Sequence, residues 1–293
     1  MTESMAEIGD LQICYETMGD PDGDPLLLIM GLGGPMIWWA DEFCQELVDR
    51  GCYVIRYDNR DCGRSSRLSG RVSVTRSFLR LQRPPYGLAD FADDAAGLLD
   101  HLGIDSAHVA GMSMGGMIAQ TLAINHPSRV RSLTSIMSTT GNRLVGWPSP
   151  QAMRRLFSTG PRSREEYLRQ SVKTWRMLAA DYPVDEERIR KLFGATYDRG
   201  LNPGGYFRHV AAINAATDRT RQLSRVRVPT LVIHGTKDPL VNVSGGKATA
   251  RAVPDAELML VPGMGHDLPP ERYTDIAAAI TRNMAKAADD RAR

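Results

Sequence analysis

Short apolar runs alternate with helical patterns along most of this 293-residue chain, and no other feature limits its fold as strongly. Residues 25–30 (PLLLIM) and 51–57 (GCYVIRY) are continuous apolar runs, as expected for strands buried on both faces. Further strands are predicted at 11–17, 108–112, 130–137, 230–234 and 258–261, and helices at 38–48, 88–102, 114–125 and 274–287. The alternation predicts an α/β fold, with a mostly parallel sheet and helices on both faces.

One long stretch, from about 141 to 225, breaks this rhythm. It has helical periodicity and no convincing strand; Leu168, Val172, Trp175 and Leu178 form one stripe, and Ile189, Leu192 and Phe193 form another. We predict a helical cap subdomain at 141–225, inserted into a core domain formed by 1–140 and 226–293. This stretch holds 16 Lys or Arg against 8 Asp or Glu. That excess favours a solvated basic face, although a surface for anionic lipid or an anionic substrate stays open.

Composition excludes several classes of function. The formal net charge of +2 gives no reason to expect nucleic-acid binding. No signal-peptide pattern opens the chain, and no apolar run is long enough for a transmembrane helix. The spacing of Cys14, Cys44, Cys52 and Cys62 fits neither a zinc site nor a CxxC motif. We therefore predict a cytoplasmic protein with reduced cysteines, no metal and no cofactor.

The strongest motif is Gly111-Met112-Ser113-Met114-Gly115, a G-x-S-x-G pentapeptide. An apolar strand runs into it and a helix follows, so a sharp strand-to-helix turn is expected to force the serine into a strained backbone conformation. The flanking glycines remove the Cβ atoms that would collide in such a turn. This context predicts Ser113 as a nucleophile.

A serine hydroxyl needs a base to take its proton and a carboxylate to orient that base. Asp238 and His266 follow two successive predicted strands, in the order serine, acid, histidine that G-x-S-x-G enzymes use. The other histidines have less suitable positions: His101 in a helix, His108 at a strand start, His126 before a proline, His209 in the cap, and His234 at a strand end where it would support the Asp238 loop. We predict a catalytic triad of Ser113, Asp238 and His266.

Acyl transfer also needs donors for the oxyanion of the tetrahedral intermediate. One is predicted to be the backbone N–H of Met114, directly after the nucleophile. The loop Met-Gly-Leu-Gly-Gly-Pro at 30–35 would supply the other, with Leu32 as the first choice and Gly33 as the fallback.

Five segments in order, MGLGGP, YDNRDCGRSS, GMSMGG, HGTKDP and PGMGHDLP, resemble the α/β-hydrolase superfamily over nearly the whole chain. The chain is most similar to bacterial esterases of the aclacinomycin methylesterase type and to mycobacterial lipase/esterase proteins. It shares with them Met30-Gly31, the segment 58–65 and the stretch 173–176 (KTWR). The resemblance implies carboxylic ester hydrolysis by the residues already named.

The chain departs from the superfamily pattern at three places. Met30-Gly31 stands where many members have His-Gly, and Asp61 where many have glycine. Residues 67–85 form an additional basic stretch with Phe78, Leu79 and Leu81. A surface insertion is the favoured interpretation of this stretch, with a lid or a membrane-touching segment as the alternatives.

The expected substrate is a small-molecule ester with a hydrophobic acyl or ring portion, because the predicted cap is rich in large apolar side chains. A thioesterase or a cofactor-free perhydrolase would use the same triad, and a ligand receptor on the same fold is a further alternative. Peripheral membrane or lipid contact stays open. The oligomeric state cannot be read from this sequence.

Overall fold

The computed structural model describes residues 2–73, 76, 82–156 and 163–291. Within these ranges, eight strands form one sheet in the order β1-β2-β4-β3-β5-β6-β7-β8. The strands are β1 (Ser4–Ile8), β2 (Leu11–Met18), β3 (Asp24–Ile29), β4 (Cys52–Tyr57), β5 (Ala107–Met112), β6 (Val130–Ile136), β7 (Thr230–Gly235) and β8 (Glu257–Val261). β2 pairs antiparallel with both β1 and β4, and all the other pairs are parallel.

Helices cover both faces of the sheet. They are α1 (Asp41–Val48), α2 (Leu88–His101), α3 (Met114–Asn125), α4 (Pro150–Leu156), α5 (Arg164–Leu178), α6 (Glu186–Asp198), α7 (Pro203–Ala215), α8 (Thr220–Leu223), α9 (Ser244–Ala252) and α10 (Tyr273–Arg291). Short 3₁₀ helices occupy Met36–Trp38, Pro127–Arg129 and Pro270–Arg272. This architecture confirms the predicted fold class.

The apolar run in β3 shows why the strands read as continuous hydrophobic segments. Leu27 and Ile29 belong to one buried cluster, together with Phe91 of α2. Leu26 and Leu28 belong to another, on the opposite face of the sheet. Alternate side chains of a strand point to opposite faces, so a strand covered on both sides needs apolar residues at every position.

Two local predictions were wrong. The predicted helix at 38–48 begins only at Asp41, because Trp39 has an extended backbone and its carbonyl accepts a hydrogen bond from Arg56 (2.5 Å). The first strand, Ser4–Ile8, was missed, since Ala6 is its one buried residue and the apolar signal is correspondingly weak.

Between β6 and β7, the described residues form α4 to α8 and no strand. The stripe predicted on α5 packs against Ile189 and Phe193 of α6, forming a third buried cluster. We call α4 to α8 the helical segment; the domain bounds 141–225 stay a prediction.

The additional stretch at 67–85 falls partly outside the described residues. Residues 74, 75 and 77–81, with Phe78, Leu79 and Leu81, are not among them, so the choice between a surface insertion, a lid and a membrane-touching segment lies outside the described residues. In the described part, Arg67 donates a hydrogen bond to the carbonyl of Gly200 (3.0 Å). No helix of the described residues is long and apolar enough to cross a membrane. The four cysteines are buried and form no disulfide.

Candidate active site

Ser113 lies at a sharp turn between β5 and α3, and its φ of 58° and ψ of −120° are unusual for a residue with a side chain. The two glycines of the motif explain how so tight a turn fits. A Cβ at Gly111 would lie 2.1 Å from the carbonyl oxygen of Gly115, and one at Gly115 would lie 2.1 Å from that of Ile29. The predicted strained turn is confirmed, and it raises the hydroxyl at the carboxyl edge of the sheet.

Ser113, His266 and Asp238 form a continuous hydrogen-bonded series. Nε2 of His266 is 2.9 Å from Oγ of Ser113, and Nδ1 is 2.7 Å from Oδ2 of Asp238. An ionised carboxylate can only accept, so Nδ1 carries a proton and Nε2 is left to accept from the serine hydroxyl. The structure thus brings together three residues separated by up to 153 positions.

The loop after β7 holds the Asp238 carboxylate from several sides. Its Oδ1 accepts hydrogen bonds from the backbone N–H groups of Leu240 and Val241, both at 2.8 Å. Burial alone would raise the pKa of Asp238, but His266 and His234 hold it well below its ordinary value. His234 also contacts the carbonyl of Val241 (2.8 Å), in keeping with its predicted support of this loop.

The loop after β3 approaches Ser113 closely. A Cβ at Gly31 would lie 3.0 Å from Cβ of Ser113, and the N–H of Gly34 donates to the carbonyl of Gly31 (3.2 Å), closing a tight turn. Among the described residues, no hydrogen-bond acceptor is found for the N–H of Leu32 or of Met114. The N–H of Gly33, the fallback donor, is already donated to Nδ1 of His209 (3.3 Å).

Two site residues were missed by sequence reasoning. Asp267, directly after His266, accepts a hydrogen bond from the Trp175 indole (2.7 Å), and burial raises its pKa to about 6 against the opposing effects of Trp175 and Arg188. His209 was assigned to the predicted cap but contacts the loop after β3. No sequence signal links either residue to its partner, because each pair is far apart in the chain.

A cavity of about 390 Å³ lies between Ser113, His266 and the helical segment. Much of its wall is aromatic or aliphatic, from Trp38, Met177, Phe193, Tyr206, Phe207 and Leu240. In the ranges the structure describes, no three His, Cys, Asp or Glu side chains converge in a way that would hold a metal ion. The arrangement places a serine hydroxyl, hydrogen-bonded to an imidazole, beside an apolar space.

Comparisons with known proteins show which proteins this chain is similar to. Rhodomycin D methylesterase of Streptomyces peucetius is 32% identical to this chain, over 96% of the chain and 97% of the methylesterase. The 3-oxoadipate enol-lactonase 2 of Acinetobacter baylyi is 29% identical, over 81% and 80% of the two chains. The crystal structure of the enol-lactonase from Burkholderia xenovorans LB400 superposes with a TM-score of 0.73 at 23% identity, covering 96% of this chain and all of that one.

Residues 24–273 match the family described as having the alpha/beta hydrolase fold. The match includes β3 to β8, the serine turn and both loops that carry Asp238 and His266. The sheet order, the strained serine and this match lead to one conclusion: the chain belongs to the α/β-hydrolase family.

Proposed function

We propose that the protein hydrolyses a carboxylic ester with a hydrophobic portion, through an acyl-enzyme formed on Ser113. The observation that carries this proposal is the hydrogen-bonded series Ser113–His266–Asp238 opening into an apolar cavity. A methylesterase and an enol-lactonase among the relatives support ester chemistry.

In the first half-reaction, Oγ of Ser113 attacks the ester carbonyl carbon while its proton passes to Nε2 of His266. Asp238 holds the imidazole in the required tautomer and stabilises the imidazolium. The C–O bond of the tetrahedral intermediate then breaks, and the leaving alcohol takes the proton from Nε2. The acyl group stays on Oγ.

Deacylation repeats these steps with water. A water molecule gives its proton to Nε2 of His266 as its oxygen attacks the acyl carbon. When the second intermediate collapses, the proton returns to Oγ and the carboxylic acid leaves. In both halves, the N–H groups of Leu32 and Met114 stabilise the oxyanion, each contributing about 3 kcal/mol.

The helical segment supplies the substrate preference in this proposal. Its residues Met177, Phe193, Tyr206 and Phe207 form much of the apolar wall, and we assign it the role of a cap over the core domain. A substrate whose acyl or ring portion fills this space would bury apolar surface that is otherwise in contact with water. This burial favours binding by about 25 cal/mol per Å².

The proposal is tested by p-nitrophenyl ester hydrolysis and by labelling with a fluorophosphonate probe. Wild type is expected to hydrolyse p-nitrophenyl butyrate and to be labelled, whereas Ser113→Ala should lose at least about 10⁴-fold in kcat and remain unlabelled. Ser224→Ala is the matched serine control, because Ser224 caps the C-terminus of α8 and does not line the cavity. Equal labelling of wild type and Ser113→Ala would contradict the assigned nucleophile.

Substrate class is resolved by a second set of assays. Paired oxygen and sulfur esters of one acyl group separate an esterase from a thioesterase, and peroxide-dependent halogenation in acetate reports perhydrolysis. A rapid burst of p-nitrophenol equal to the enzyme concentration would support an acyl-enzyme. Labelling without turnover of any ester would instead favour a ligand receptor.

A further inference from the structure

The turn at 31–34 is hydrogen-bonded to His209, a residue of the helical segment. Gly33, which has a φ of 62°, donates its N–H to Nδ1 of His209 in α7 (3.3 Å). The Gly34 N–H donates to the Gly31 carbonyl, and Gly33, the third residue of this four-residue turn, has a positive φ. These two features fit a type II turn. Compared with a type I turn, the peptide between residues 32 and 33 is flipped. His209 therefore bonds the peptide whose orientation distinguishes the two turns.

The second nitrogen of His209 fixes its tautomer. Nε2 lies 2.7 Å from the carbonyl oxygen of Arg60, which can only accept, so Nε2 carries the proton and Nδ1 is the acceptor that faces Gly33. The ring is fully buried, and this burial lowers its pKa to about 4. Neutral His209 is thus the species present at neutral pH.

Packing leaves the ring little freedom to rotate. The rings of Phe91 and Tyr86 meet it edge-on, with centroids at 5.1 and 6.2 Å. The preceding residue, Arg208, is held by both carboxylate oxygens of Asp61 (2.7 Å each). His209 is therefore a rigid acceptor set by tertiary contacts, although α7 is distant from the turn in sequence.

We infer that His209 is a positioning residue of the oxyanion loop: by accepting the Gly33 N–H it holds the 31–34 turn so that the Leu32 N–H, rather than that of Gly33, serves the oxyanion. This inference rests on the proposed ester hydrolysis. In the other orientation the Gly33 N–H and the Leu32 carbonyl oxygen would exchange sides of the turn. A turn free to exchange would therefore not keep the backbone around the Leu32 N–H in one position, and the loss would fall on the transition state.

Two near-isosteric variants separate the two hydrogen bonds of the ring. An asparagine amide oxygen can take the place of Nδ1, so His209→Asn retains an acceptor for Gly33. A glutamine amide nitrogen reaches the place of Nε2, so His209→Gln retains the donor to Arg60 and loses the acceptor. Tyr86→Phe is the control for the same packed region, because it removes only the hydroxyl bonded to Asp61 (2.5 Å).

For p-nitrophenyl acetate, His209→Gln is expected to lower kcat by about 10- to 100-fold with KM within about twofold, a part of the loss caused by removing a whole oxyanion donor. His209→Asn should stay within about fivefold of wild type, and Tyr86→Phe within about twofold. Binding of a boronic acid, whose adduct with Ser113 is tetrahedral, should weaken in His209→Gln by the same factor as kcat. Thermal unfolding of each variant shows whether it is folded.

Equal kcat values for the folded Asn and Gln variants would overturn the inference, and so would a loss in KM alone. If His209→Gln fails to fold, His209→Leu takes its place as the variant without an acceptor for Gly33. If His209→Asn fails to fold, an unchanged kcat in His209→Gln or His209→Leu would still overturn the inference. Failure of the proposed function is seen separately, because wild type would then hydrolyse no ester or Ser113→Ala would hydrolyse it equally well.

Discussion

The two walls of the cavity are built on different principles. The core wall, with Ser113, His266 and the turn at 31–34, depends on backbone positions that leave no room for a Cβ at Gly111 or Gly115. The helical wall is made of large side chains, such as Met177 and Phe193, which fill space with their volume. Backbone contacts thus hold the geometry for the proposed chemistry, whereas side-chain volume sets the shape of the proposed substrate space.

The walls are nevertheless joined by several hydrogen bonds. The backbone N–H of His266 donates to the carbonyl of Leu178 at the end of α5 (2.7 Å). At the other end of the segment, Arg208 and Asn202 both bond Asp61. The helical wall is therefore tied both to the loop that carries His266 and to the loop after β4.

The largest effect is expected from adding one methyl group to the core wall. In Gly115→Ala, the new Cβ would lie 2.1 Å from the carbonyl oxygen of Ile29, so the turn must shift. A displacement of about 1 Å costs about 100-fold in rate, and we expect at least that loss in kcat. Gly87→Ala is the matched control, because its Cβ meets no atom within 4 Å. Similar ester hydrolysis by both variants would remove the distinction between the walls.

The next largest effect is expected on stability, at Asp61, where Arg208 of the helical segment bonds the loop after β4. Asp61→Ala would leave the buried Arg208 guanidinium without its carboxylate, lowering the free energy of unfolding by about 3 kcal/mol in urea titrations. Asp61→Gly removes the same carboxylate but suits the φ of 65° at this position, so it should be the more stable variant by about 1 kcal/mol. If Ala is the more stable of the two, backbone strain at residue 61 has been misjudged.

A pH-dependent effect is expected at Asp267, where core loop and helical wall meet. Its raised pKa of about 6 means that the folded state binds a proton more tightly than the unfolded chain, whose carboxyl has the ordinary value of 3.8. Stability contributed by this group is therefore present below about pH 4 and declines as the pH rises through 6, by about 2–3 kcal/mol.

Asp267→Asn should abolish that decline while keeping an acceptor for Trp175. Urea titrations at pH 4, 5, 6 and 7 measure the free energy of unfolding of wild type and of the variant. The contributions of the other titrating groups cancel in the difference between the two proteins. If the free energies of unfolding of the two proteins changed with pH in the same way, the pKa of the Asp267 carboxyl would not be raised in the folded state.

The smallest effect is expected on the helical wall itself. Met177→Ala enlarges the cavity, so esters with an acyl chain one or two carbons longer should gain in kcat/KM relative to acetate, by about 0.8 kcal/mol per buried CH₂. For p-nitrophenyl acetate, kcat should change by less than about threefold. A loss in kcat as large as that of Gly115→Ala would show that the helical wall also controls the chemistry.

Much of the core wall could be predicted from the sequence because each part is a local pattern. Ser113 stands between an apolar strand and a helix, and Asp238 and His266 each follow a strand. Parallel strands end at one edge of the sheet, so the order of the strands alone brings these loops near each other. Asp61 was noted as a departure from glycine, but its positive φ and its bond to Arg208 became visible only in the structure.

By itself, then, the sequence determined the α/β fold, the strained serine turn, and which three residues, Ser113, Asp238 and His266, meet at the edge of the sheet. Tertiary structure decided that His209 bonds Gly33, that Trp175 bonds Asp267, and which side chains of the helical segment face the cavity. The physical reason is the separation along the sequence over which each kind of interaction acts. Periodicity and turn chemistry act over a few residues, whereas these contacts join residues 92 to 176 positions apart and depend on how whole helices pack.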